Sequence, residues 1–189
     1  MAYTYLITRS DFDDETFELG NISDSRLNVA IQEAQDSDLK QMLGYAMYYD
    51  MLKNHSATKY TDLLNGKEYT DVNGYTVEFR GLKYALLYWT YARILNANQI
   101  TLTSHGVVQK RSDYSDQVDL KAISNAVNDK RSFALVYWQE VERYINSNLT
   151  TYTLWNVTRK EFQKTQIRIN VIGGCSSDEG EYCNDKNIK

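Results

Sequence analysis

Residues 115–149 read SDQVDLKAISNAVNDKRSFALVYWQEVERYINSNL, the longest uninterrupted helical pattern in the chain. Leu120, Val127, Ala134 and Val141 recur at heptad spacing, with Ile123, Lys130, Tyr137 and Tyr144 as the companion row. Together they draw one apolar stripe along a helix. At 1.5 Å rise per residue such a helix spans roughly 45–50 Å, longer than a small domain needs. An element of that length serves as the spine of a bundle or as a strut between partners. Lys130-Arg131 interrupts the stripe. Two readings fit it: a snorkelling pair at the rim of a bundle, or a contact to a neighbouring subunit, an acidic partner or passing DNA.

Working outward, residues 81–96, GLKYALLYWTYARILN, are apolar over most of a helical circumference. A helix of that kind sits at the centre of a bundle. Before it, residues 67–79 carry Asn73-Gly74 between Val72 and Tyr75, the favoured two-residue hairpin turn. Tyr75, Val77 and Phe79 alternate and share a face. A lone hairpin is marginal in water, so this one must lean on helices or on another subunit. Residues 54–66 read as a loop with a short turn at 62–64. An earlier helix starts at Ser23 as N-cap, with Ile22 and Leu27 placed as a staple, and runs on through Leu43. Gly44 closes it or is tolerated within it, and helical character resumes over 45–53. The Asp36-Ser37-Asp38 insertion reads as a kink or a solvated face, and Asp11, Asp13, Asp14 and Glu15 as a cap region.

Residues 99–114 form a polar connector into the long helix. Val107 and Val108 are apolar within it, which suggests docking on the chain's own core or on a neighbour. Beyond the long helix, Ile167, Ile169 and Val171 alternate as in a half-buried strand, and 175–189 have the composition of a disordered tail. The fold expected is mainly α. It is a helical bundle with a long helix in its C-terminal half, one inserted β-hairpin at 67–79 and an extended C-terminal arm. Residues 1–150 would form the helical domain, 151–174 the arm and 175–189 the tail.

Composition narrows the function. The chain has 189 residues and a net charge of −4, with no concentrated basic face for gripping nucleic acid. No apolar run approaches the roughly 20 residues of a membrane span, and the N-terminus shows no secretory signal, so no membrane partner is expected. Sixteen tyrosines and no proline stand out. Tyr is a residue of protein interfaces, although its abundance here is equally a compositional habit of the source.

His55 and His105 lie in separate loops, and Cys175 and Cys183 fit no common zinc spacing. The phosphate-binding loop, the serine-hydrolase elbow and the H-E-x-x-H pair are all missing from the sequence. The expectation is therefore no enzyme, no metal and no cofactor.

A family likeness gives this scaffold a task. Asn21-Ile22-Ser23, followed by the helix through Ala34-Gln35-Asp36-Ser37-Asp38-Leu39 to Leu43-Gly44, resembles the opening of head-to-tail connector proteins of tailed bacteriophages. Thr103-Ser104-His105-Gly106-Val107-Val108-Gln109-Lys110, then Asp113-Tyr114-Ser115 and a long helix, is similar to the middle loop of the portal-proximal ring protein of crAss-like phages. The likeness covers roughly residues 4–150, as an order of elements with two short signatures.

What the resemblance implies is a virion protein at the portal vertex, assembled in the bacterial cytoplasm. Its copies, commonly twelve, would form a ring beneath the portal protein, extend the DNA channel and dock the next ring or a tail protein. The alternative is a small phage DNA-handling protein or enzyme with no recognisable site. On the ring reading His105, Val107, Val108, Gln109 and Lys110 are candidates for subunit, portal or tail contacts. Ile167, Ile169 and Val171 are the candidate arm, able to add a strand to a neighbour's sheet edge, with the 67–79 hairpin as a recipient. Lys130 and Arg131 are the candidates for a channel or neighbour contact.

Overall fold

The structure is a computed structural model of the whole chain, and it describes residues 3–15, 17–97, 100–103, 106–109 and 120–155. Within them the chain is mainly helical, as its periodicity implies. Helix α6 (Leu82–Ala97) is the axis of the fold. Leu82, Ala85, Leu86, Leu87, Trp89, Thr90, Ala92 and Ile94 are all buried, because neighbours cover it on several sides. The long helix α7 (Leu120–Ser147) packs along one side, α2 (Asp24–Glu33) and the turns after it along another, and α5 (Thr58–Asn65) against its start. Val127, Ala134, Trp138, Val141, Tyr144 and Ile145 form the buried stripe of α7. Trp89 meets Trp138 at 6.1 Å, and Trp138 meets Trp155 at 6.0 Å. Tyr152 and Trp155 therefore belong to the bundle's core although they follow α7.

Residues 54–66 are not a loop. Tyr60, Leu63 and Leu64 of α5 are buried at helical spacing, and Gly66 ends the helix at φ 82°. The insertion at Asp36-Ser37-Asp38 falls within a π-turn, Ala34–Leu39, that continues α2 into the short α3 (Lys40–Leu43). Gly44, at φ 77°, separates α3 from α4 (Tyr45–Lys53). The wide turn swings Gln35 fully into the interior. There its Oε1 accepts the Leu6 N–H at 2.8 Å, and its Nε2 donates to the Thr4 carbonyl at 3.1 Å and to the Tyr3 hydroxyl at 3.2 Å. One side-chain amide thus holds the extended N-terminal segment as an adjacent strand would. That segment leads into α1 (Arg9–Asp14). Asp36 and Asp38 are engaged rather than simply solvated. Asp36 accepts the Tyr48 hydroxyl at 2.8 Å, and Asp38 takes the Arg93 guanidinium at 2.7 Å.

Strands β1 (Lys67–Thr70) and β2 (Thr76–Phe79) pair antiparallel, with Glu68 opposite Glu78. Their turn is longer than the two residues expected. The Asp71 N–H meets the Tyr75 carbonyl at 2.9 Å, and Gly74 adopts φ 84°, giving a three-residue loop. Asp71 decides this geometry, since its carboxylate accepts the N–H groups of Asn73 at 2.8 Å and Tyr75 at 3.0 Å. The hairpin's inner face rests on α7, with Phe79 stacked on Tyr144 at 4.5 Å and Tyr69 edge-on to it at 5.0 Å.

The connector of residues 99–114 differs most from expectation. Strands β3 (Ile100–Thr103) and β4 (Gly106–Gln109) pair antiparallel within it, Leu102 with Val107 and Thr101 with Val108. A second strand pair thus lies where a loop was expected. Residues 115–119 of the expected long helix, and everything from 156 on, lie outside the described residues.

Candidate interaction surface

Helix α6 places Tyr84, Tyr88 and Tyr91 along one flank, at spacings that repeat every turn or so. Helix α7 faces them with Phe133 and Tyr137, and the segment before α2 contributes Phe17. The rings touch in series. Tyr137 lies 5.3 Å from both Tyr84 and Tyr88, Tyr88 lies 5.6 Å from Phe133, and Phe17 closes on Tyr88 at 5.0 Å and Tyr91 at 5.1 Å. This aromatic seam is half buried, and Phe133 remains 51% exposed.

Cations sit over the seam. The Lys130 ammonium lies 5.7 Å from the Tyr88 ring and 5.5 Å from that of Tyr91, and the Arg80 guanidinium lies 5.7 Å from Tyr84. The Tyr84 hydroxyl donates to Glu15 at 2.5 Å, and burial together with that carboxylate pushes it up to about 12. The neighbouring cleft is lined by Asp11, Glu15, Arg80, Lys83 and Tyr84. Asp11 and Lys83 form an ion pair across it at 2.8 Å. Burial alone would raise the Asp11 carboxyl, but Lys83 and the Thr8 N–H outweigh it and hold the group below its ordinary value.

Lys130 and Arg131 part company in space. Lys130 lies half-buried on the seam, which accounts for its place in the apolar stripe. Arg131, one helical step away, is exposed and has no ion-pair partner among the described residues. Val107, Val108 and Gln109 fall in β4, paired with Leu102, Thr101 and Ile100. His105, Lys110, Ile167, Ile169 and Val171 lie outside the described residues.

Two further surfaces are left uncovered among the described residues. The hairpin tip leaves Val72 80% and Tyr75 70% exposed, and the outward side of α7 leaves Leu135 44% and Val136 51% exposed. Both α7 residues fall outside the heptad rows, which sets them off the buried stripe. At α4, exposed Tyr45 and Tyr49 flank the Lys40 ammonium at 5.1 and 5.2 Å.

Among the described residues no group of three or more His, Cys, Asp or Glu side chains converges to hold a metal ion, and no helix is long and apolar enough to cross a membrane. Fold and surface together define a small helical domain with aromatic, partly uncovered faces. Residues 39–161 match a family of unknown function, DUF6712, and the chain belongs to it. The match starts at the last residue of the π-turn and runs past α7, so α1 and α2 precede it. No curated protein matches the chain, and no solved structure does.

Proposed function

We propose that this chain is a structural subunit of a bacteriophage head-to-tail connector: a ring beneath the portal that continues the DNA channel and carries the next ring or the tail. The observation that supports this reading best is the surface of the α6–α7 pair. It combines a half-buried aromatic seam, two cations over tyrosine rings and the exposed residues Phe133, Leu135 and Val136. Aromatic residues and Arg at a partly uncovered face are the composition of protein–protein contacts. The particular assembly is suggested by the two short sequence signatures that resemble those of connector proteins. A net charge of −4 suits a subunit past which DNA must slide without sticking.

The test is made on particles. Quantitative mass spectrometry of purified virions is expected to find the chain in a fixed ratio to the portal protein. Electron microscopy of virions is expected to place it as a ring below the portal. Disrupting its gene should leave DNA-filled heads without tails. Absence of the chain from purified virions overturns the reading.

A further inference from the structure

We propose that the chain beyond Trp155 runs back along α7 as a helix and that its Phe162 covers Leu135 of the same subunit. The direction of the chain is set before the described residues end at Trp155. Tyr152 packs on Tyr144, near the end of α7, at 5.9 Å. Three residues later Trp155 is buried against Trp138 at 6.0 Å, and its Nε1 donates to Asn146 Oδ1 at 3.2 Å. The chain has therefore turned round and heads towards the start of α7. Its backbone becomes helical at Trp155.

The flank of α7 that lies ahead is uncovered. With 3.6 residues per turn, Trp138, Leu135 and Asn146 fall within about 80° of one another around the helix, and Leu135 lies between the other two. Trp155 thus approaches α7 from the very side on which Leu135 is 44% exposed. Held between Trp138 and Asn146, Trp155 stands level with residue 142. Leu135 comes seven residues before that level, about 10 Å along the axis.

The sequence beyond Trp155 supplies the matching side chain. Phe162 follows Trp155 by seven residues, so a helix sets both on one face, about 10 Å apart. Antiparallel to α7, that face lays Trp155 on Trp138 and Phe162 on Leu135. The family match agrees, because it runs to residue 161 and so takes in the turns after Trp155 as part of the shared unit.

With Leu135 covered, Phe133 and Val136 remain the open part of the α7 surface. Leu135 also lies nine residues from Tyr144, which places it on the opposite side of the helix from the β1–β2 hairpin. The candidate strand of Ile167, Ile169 and Val171 then departs on the flank away from its own subunit's hairpin. An arm leaving there is placed to reach another copy, a consequence that rests on the ring reading above.

The test uses the full-length chain with Cys175→Ser and Cys183→Ser, carrying Leu135→Cys and Phe162→Cys. Helices packed at about 8–10 Å bring facing Cα atoms within the roughly 4.4–6.8 Å that a disulfide spans. The variant is checked for native helicity by circular dichroism, diluted and mildly oxidised. Mass spectrometry is expected to find an internal disulfide in most molecules. The control pairs Phe162→Cys with Phe133→Cys, two residues before Leu135 and on the far flank of α7, and should form little. An internal yield no higher than the control overturns the proposal. So do disulfide-linked dimers that persist on dilution in place of the internal bridge, because a second copy would then cover Leu135. Hydrogen exchange on the unsubstituted chain gives an independent reading. Amides of residues 158–162 should exchange about tenfold more slowly than those of 176–189, and equal rates overturn the helix. Both measurements are made on the isolated chain, so they stand apart from whether the protein is found in virions.

Discussion

Gln35 is the residue on which the N-terminal half turns. Its amide is fully buried and satisfies both the Leu6 N–H and the Thr4 carbonyl. Gln35→Ala leaves both backbone groups without their partner, and a buried unmet group costs about 1–3 kcal/mol. Chemical denaturation should show a loss of that size, and faster proteolysis within the first eight residues should accompany it. Thr90 presents the reverse case. Its hydroxyl is buried in α6 and makes no hydrogen bond. Thr90→Val keeps the shape and removes the unmet group, so the melting temperature should rise, by up to about 1–3 kcal/mol of stability. No pattern in the sequence announces either residue, because a Gln or a Thr in a helical run is read as surface until neighbours are placed around it.

Among the elements, the β1–β2 hairpin shows two glycines with different duties. Gly66 and Gly74 both have positive φ. A Cβ at Gly74 would meet nothing within 4 Å, whereas one at Gly66 would run into the Phe79 carbonyl oxygen and the Arg80 backbone. Gly74→Ala should therefore cost about 1 kcal/mol, the usual penalty of a left-handed turn position. Gly66→Ala should cost clearly more, because the clash is with backbone that cannot swing aside. Urea unfolding of the two variants ranks them, and equal values would mean that the clasp at the hairpin's base gives way. The hairpin itself was legible from Asn73-Gly74 and the Tyr75-Val77-Phe79 alternation. Its loop length was not, because it depends on where the Asp71 carboxylate finds N–H groups.

At the scale of the whole molecule, acid should loosen the fold in a definite window. Asp11 is held below 3.8 because Lys83 and Thr8 outweigh its burial, Asp50 by the Tyr60 hydroxyl, and Asp71 by the Tyr75 N–H. The folded chain thus binds fewer protons than the unfolded one at low pH. The stability these groups confer is complete above their ordinary value of 3.8 and is lost as pH falls through the lower folded values. Denaturation midpoints should hold from neutrality to about pH 5 and decline below about pH 4, less steeply for Asp11→Asn with Asp50→Asn. The second strand pair offers a functional test. On the proposed connector reading, Val107→Asp with Val108→Asp should leave the far-ultraviolet spectrum near native while reducing incorporation into virions. Loss of helicity would instead make β4 part of the core.

The sequence alone determined that this protein is a helical bundle with a long α7, a nearly all-apolar α6 and a hairpin at 67–79. Those elements follow from periodicities of 3.6 and 2 and from one turn dipeptide, which are properties of neighbouring residues. Only the tertiary structure decided the π-turn that turns Gln35 inward, the pairing of β3 with β4, the helix at Thr58–Asn65 and the separation of Lys130 from Arg131. Each depends on which distant groups meet. A buried amide needs a strand to hold, and a lysine in an apolar stripe needs tyrosine rings from another helix. An exposed Leu135 or Val136 is known to be uncovered only when every other element has taken its place.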